Sequence, residues 1–188
     1  METPSEAIVI RDLWKIYSRK KDLRISSSDV ENEERVEELD KGEDAVVAMK
    51  NVSLSVNRGE TFIIMGLSGS GKSTLIRCLI RLVEPTSGEI IVNGENVTMM
   101  HKRELVDFRR EKIAMVFQHY GLLPHRTVLD NVCFGLKLRG EAKEARRAKG
   151  VEALEQVGLK GWEKYYPASL SGGMRQRVGI ARALVMDA

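Results

Sequence analysis

The chain has 188 residues, 43% hydrophobic and 30% charged, with 30 Lys plus Arg against 27 Asp plus Glu and a net charge of +3. That balance excludes disordered and collagen-like classes and allows one domain with a proper core. The apolar runs are too short to cross a bilayer, and the opening METPSEAIVI lacks the basic and apolar regions of a secretory leader, so neither span nor leader is expected.

In chain order, AIVIRDLWKIY (residues 7–17) begins as a strand. Residues 28–44 then carry nine acids and two bases, a net of −7, which leaves +10 on the remainder. Those bases are scattered among acids and not interleaved with aromatics, as they would be in a nucleic-acid groove, so they read as solvated helix faces. The acidic stretch reads as an insertion over 18–44, with a capping box at Ser28 and Glu31, a stop at Gly42 and one short helix over 29–41. Its apolar stripe of Val30, Val36 and Leu39 is thin, which predicts weak docking and high mobility. AMKNVSLSV (48–56) alternates as a half-buried strand does.

TFIIM (61–65) is a continuous apolar run, as in a strand buried on both faces, and leads into a glycine-rich turn. KSTLIRCLIRL (72–82) follows as a helix, with Leu75, Ile76, Leu79 and Leu82 on one face. EIIVNGENV (89–97) reads as strand, Asn93-Gly94 turn and return strand. Residues 102–110 look helical, IAMVF (113–117) is a second buried strand, and helical segments follow over 127–138, 141–157 and 172–185. Cys78 and Cys133 sit among apolar neighbours and read as buried thiols in a reducing compartment.

The turn GLSGSGKS fits G-x-x-x-x-G-K-[ST]. Small residues let several N–H groups converge on one anion, and the helix behind adds its positive end. Lys72 is expected to reach the β- and γ-phosphates, the Ser73 hydroxyl to ligate Mg²⁺, and Thr74 to meet the α-phosphate. Alone, this loop names only a nucleoside triphosphate. A second motif, LSGGMRQR (170–177), precedes another helix: Ser171 sits at an N-cap and two glycines expose N–H groups, making a second anion site. Either the fold brings the two sites to one nucleotide, or two copies pair head to tail.

GLSGSGKST with LSGGMRQR resembles the ATP-binding subunit of an ABC transporter. RLVEPTSGEI, MVFQHYGLLPHRTVLDNVCFGL and LSGGMRQRVGIARAL are similar to the importers of glycine betaine, proline betaine, carnitine or choline. The resemblance implies an α/β P-loop NTPase of ABC type: a mixed sheet with an antiparallel β subdomain, plus a mostly helical subdomain over 119–170 leading to the LSGG signature. It further implies that Gly66, Ser68, Gly69, Ser70, Gly71, Lys72, Ser73 and Thr74 hold ATP and Mg²⁺. Gln118 resembles the glutamine that touches the metal or the attacking water, although a lone Gln after a strand is ordinarily a surface amide. Ser171, Gly172, Gly173 and Gln176 would contact ATP held by a second copy. Tyr17 resembles the aromatic that stacks on adenine, with Trp14 as competitor.

Implied partners are that second copy, membrane permease subunits and, indirectly, a solute-binding protein, with the chain peripheral on the cytoplasmic face of the plasma membrane. The family's Walker B aspartate, the glutamate after it and the switch histidine are not identifiable. Asp187 imitates the aspartate, yet it arrives while a helix is still running. The expectation is an ATP-hydrolysing importer subunit that energises uptake through the membrane subunits, of which 1–188 is a partial domain whose catalytic strand lies beyond and which by itself binds nucleotide without turnover; the alternatives are a soluble non-transport ABC ATPase and a nucleotide-binding remnant without hydrolysis.

Overall fold

The computed structural model describes residues 6–20, 25–42 and 44–187. Positions 21–24 and 43 of the insertion lie outside the described residues. The chain divides into two units, Met1–Leu105 and Val106–Ala188.

The first unit is built on a four-stranded antiparallel sheet of order β2-β1-β3-β4, from β1 (Glu6–Ser18), β2 (Ala45–Asn57), β3 (Ser87–Val92) and β4 (Glu95–Asn96). Along β1 the buried residues are Ile10, Leu13 and Ile16, a spacing of three that a regular strand forbids. Register irregularities between Ile10 and Leu13, and again between Leu13 and Ile16, reset the alternation. Asp12 takes a φ of 47° at the first of them, and its N–H donates to Ser53 Oγ at 2.8 Å. The β3–β4 connection is as expected: Asn93 and Gly94 have φ of 50° and 81°, the primed turn that suits a twisted hairpin.

The insertion departs from its reading in two ways. It forms two helices, α1 (Ser27–Val30) and α2 (Glu33–Lys41), and the capping carboxylate is Asp29, which accepts from the Ser26 N–H at 2.7 Å. Asn32 interrupts the expected single helix because its side chain accepts from the Arg35 N–H and starts a new one. Gly42 does end it, donating its N–H to Glu38 O at 2.9 Å. Docking is firmer than the thin stripe suggests, for Val36 and Leu39 are 3% and 5% exposed, and Leu39 packs with Ile16 and Ala45.

Helix α3 (Lys72–Leu79) buries Leu75 and Cys78, whereas Ile76 and Leu82 of the expected stripe are exposed. The helix is shorter than predicted because Arg81 turns left-handed, with φ 48°, while its guanidinium donates to Val97 O and Met100 O at 2.8 Å each. TFIIM and IAMVF form no strand among the described residues, and Phe62, Met65 and Phe117 are 45%, 86% and 42% exposed. The physical reason is that a strand exists only through its neighbours, and no described segment pairs with either run.

Helix α4 (Lys102–Glu111) leads into the second unit, which holds α5 (Val128–Val132), α6 (Phe134–Leu138), α7 (Lys143–Gln156) and α8 (Gly172–Leu184). Its core gathers Val128, Val132, Leu136, Leu154, Leu159, Val178 and Ala181. Arg139 fastens the ends of two segments, donating to Arg110 O and Glu111 O at the end of α4 and to Met186 O just past α8, at 2.7 to 2.9 Å. Both cysteines are buried and free, and burial pushes each thiol up to about 11. No helix among the described residues is long and apolar enough to cross a membrane.

Candidate functional site

In the first unit the glycine-rich turn closes around its own lysine. Lys72 Nζ donates to Gly66 O at 2.7 Å, to Leu67 O at 2.6 Å and to Ser70 Oγ at 3.2 Å, which uses all three ammonium protons. Gly71, the N-cap of α3, has φ 85°, and a Cβ there would collide with the carbonyl oxygen of Ala48. Only glycine brings the chain this close to β2 in this conformation. The N–H groups of Lys72, Ser73 and Thr74 lie in the first turn of α3, where a helix offers no internal acceptor. Ser68, Gly69 and Ser73 are exposed and Thr74 half-buried. Beside the loop runs a cleft of about 480 Å³, polar at Gly66, Ser70 and Lys72 and apolar along Met49, Phe62 and Leu75.

On β1, Tyr17 is 36% exposed with Lys15 Nζ 4.8 Å from its ring centroid, while Trp14 is half-buried. Tyr17 thus presents the more open ring.

The second unit carries the remaining candidates. Ser171 takes extended backbone at the N-cap of α8, and its Oγ accepts from the Met174 N–H at 3.3 Å. Gly172 and Gly173 begin the helix, so their N–H groups have no intrahelical acceptor, and Gln176 is exposed one turn on. Gln118 is exposed in the turn Phe117–Tyr120, closed by Tyr120 N–H to Phe117 O at 3.0 Å. Asp187 follows the end of α8 with φ 45° and no strand before it.

Sequence reading missed Asn131. It is fully buried; its Nδ2 donates to Leu123 O, Arg126 O and Thr127 O at 2.9 to 3.1 Å, and its Oδ1 accepts from the Leu123 N–H at 2.7 Å. The side chain thereby fixes the loop after Gln118. The only signal was a polar residue amid an apolar helical run, which the pattern alone reads as surface.

Residues 49–188 match the family model described as ABC transporter. The trimethylamine N-oxide transport system ATP-binding protein TmoW of Ruegeria pomeroyi is 46% identical over 183 residues, 97% of this chain and 53% of that protein. The glycine betaine/proline betaine transport system ATP-binding protein ProV of Salmonella typhimurium is 53% identical over 141 residues, 75% of this chain and 35% of that protein. The chain therefore spans about half, or less, of the length of these curated relatives. The ATP-binding cassette MJ0796, solved as a dimer in a post-hydrolysis state bound to ADP and Pi, resembles the chain with a TM-score of 0.79 at 33% identity. That likeness covers 96% of this chain and 70% of that one. With a lysine-centred loop in one unit, a capped glycine-rich helix start in the other, and a family model matched over most of its length, the chain belongs to the ABC transporter family.

Proposed function

We propose that the chain is the nucleotide-binding part of an ATP-hydrolysing subunit of an importer for glycine betaine or a related small amine. The observation that carries the reading is the Lys72 cradle: an ammonium held at a helix start by loop carbonyls, behind three N–H groups with no helical acceptor. An anion of matching shape gains the lysine and those N–H groups together. ATP with Mg²⁺, when bound, supplies the cleavable phosphoanhydride and the charge neutralisation; the donor set of the first unit fits, with the Ser73 hydroxyl as an oxygen donor toward the metal, and the part of the Gln118 amide there rests on the family resemblance alone. Ser68, Gly69, Ser70 and Thr74 line the phosphates, and Tyr17 offers a face for adenine.

The signature residues Ser171, Gly172, Gly173 and Gln176 face ATP held by a second copy, in a head-to-tail pair. The solute class is supported by relatives named for glycine betaine, proline betaine and trimethylamine N-oxide. Permease subunits in the membrane, and through them a solute-binding protein, complete the assembly, with this chain peripheral on the cytoplasmic face. These 188 residues by themselves bind ATP without turnover, because Asp187 follows a helix and stands in no strand that would present it to a metal.

Calorimetric titration with ATP and Mg²⁺ tests the reading. The chain should bind, Lys72→Ala should lose most of the affinity, and Ser171→Arg should bind as the parent does while failing to pair. Equal affinity in the parent and in Lys72→Ala would overturn the assignment of the loop.

A further inference from the structure

One stripe of α8 is occupied by the residues just after Gln118. Tyr120 and Gly121 are both left-handed, with φ of 59° and 55°, and present their carbonyls to one guanidinium. Arg182 Nη2 donates to Tyr120 O at 2.8 Å, and its Nη1 donates to Gly121 O at 2.6 Å. The Arg175 guanidinium carbon lies 5.5 Å from the Tyr120 ring centroid, and its Nη1 donates to Leu170 O at 2.7 Å. A Cβ at Gly172 would stand 3.3 Å from the Tyr120 hydroxyl, and one at Gly179 would stand 3.8 Å from Tyr120 O. Positions 172, 175, 179 and 182 recur at helical spacing, so two glycines make room and two arginines hold.

We propose that Tyr120 is a positioning residue that ties the turn carrying Gln118 to the signature helix α8, with Arg182 as its latch. The tyrosine hydroxyl stands at the first turn of α8, where the N–H groups of Gly172 and Gly173 lack helical acceptors. A phosphate docking there meets that hydroxyl. Arg175 holds the ring and Arg182 holds the carbonyl, so a displacement of the hydroxyl passes into the Phe117–Tyr120 turn, which contains Gln118. A left-handed tyrosine is costly for an L-residue, and the two carbonyl bonds to one planar fork offset that cost. Burial lowers the pKa of Arg182, which marks how far the latch is withdrawn from water. The inference rests on the reading of α8 as a nucleotide-facing helix start.

Amide hydrogen exchange on the chain tests it in two arms. Without nucleotide, Arg182→Gln should speed exchange over residues 117–123 by roughly tenfold to a hundredfold, since two charge-assisted bonds are lost, with β1–β3 unchanged. Arg182→Lys, which keeps a single donor group, should fall between. Unchanged exchange over 117–123 in Arg182→Gln overturns the latch.

With ATP and Mg²⁺ at concentrations where sedimentation shows a pair, protection over 117–123 should rise in the parent. It should not rise in Tyr120→Phe, which keeps the ring, when the variant is compared at a concentration where sedimentation shows the same paired fraction as the parent. A pair that forms with no change over 117–123 in the parent, or with the parent's change in Tyr120→Phe, overturns the link. If ATP leaves residues 66–74 unprotected, the proposed function fails instead, and the nucleotide-free arm alone decides the latch.

Discussion

Two helix starts in this chain are built from the same backbone physics and finished differently. At α3 the N-cap is a left-handed glycine pressed against the Ala48 carbonyl, no side chain caps the helix, and a lysine ammonium waits inside the loop. At α8 the N-cap is Ser171, whose hydroxyl already satisfies one orphan N–H, and what flanks the open turn is the tyrosine Tyr120 and no lysine. In the function proposed here the first serves as a self-contained anion site, since cation, N–H groups and enclosing loop come from one stretch of nine residues. In the same reading the second is half a site: it offers N–H groups and a dipole, while its nearby cation, Arg175, is committed to Leu170 O and the Tyr120 ring, so it suits a ligand that another surface already holds.

Removing the lysine is the strongest way to break that contrast. Lys72→Ala should weaken ATP binding by about 3 kcal/mol, on the order of a hundredfold, because a cation that bonds the phosphates directly is deleted. Titration calorimetry reads this, and a loss under threefold would make the two helix starts equivalent. On the other side, Asn131→Ala should destabilise the second unit by about 1 to 3 kcal/mol, as it removes the side chain that bonds the Leu123 N–H and the Arg126 carbonyl and leaves a cavity in its place. Urea unfolding followed by Trp162 fluorescence measures it; an unchanged midpoint would mean that the loop after Gln118 needs no internal staple.

Each unit also buries one thiol, which gives a pH test common to both. Cys78 and Cys133 are raised from 9.0 to about 11 by burial, so the unfolded chain ionises them first. Stability from this source is complete below pH 9 and is lost as pH climbs from 9 to 11, by about 2 to 3 kcal/mol per thiol. Cys78→Ala should flatten that decline; an identical pH slope in parent and variant would show that the thiol is not desolvated. The smallest expected effect belongs to the capped helix. Ser171→Ala should cost about 1 kcal/mol in unfolding free energy, the ordinary value of an N-cap hydroxyl, and should leave ATP binding at the Lys72 loop unchanged.

Much of this was legible in the residues. The glycine-rich turn around Lys72, the N-cap at Ser171, the Asn93-Gly94 turn and the helices after residue 127 follow from short-range rules, in which a side chain answers to its neighbours a few positions away. Misjudged features depended on distant partners. TFIIM has the composition of a buried strand, but composition does not supply the neighbouring chain that makes it one, and Met65 is 86% exposed. The acidic insertion looked too polar to dock, yet two well-placed residues, Val36 and Leu39, suffice once β1 presents Ile16 beneath them. Tyr120, Gly121 and Arg182 gave no signal at all, because they lie some sixty positions apart and acquire meaning only when the loop lies along the helix.

The sequence by itself determined which chemistry is on offer: a lysine in a glycine-rich turn, a serine-capped second helix and a family pattern spread over both. Those depend on residue type and close spacing, which backbone sterics convert directly into local geometry. Tertiary structure alone decided that β1 shifts register to bury Leu13, that Asn131 is a staple and that one stripe of α8 grips the turn beside Gln118. These are contacts between segments far apart in the chain, and their energies are set by how the packed elements meet, a quantity that no window of neighbouring residues contains.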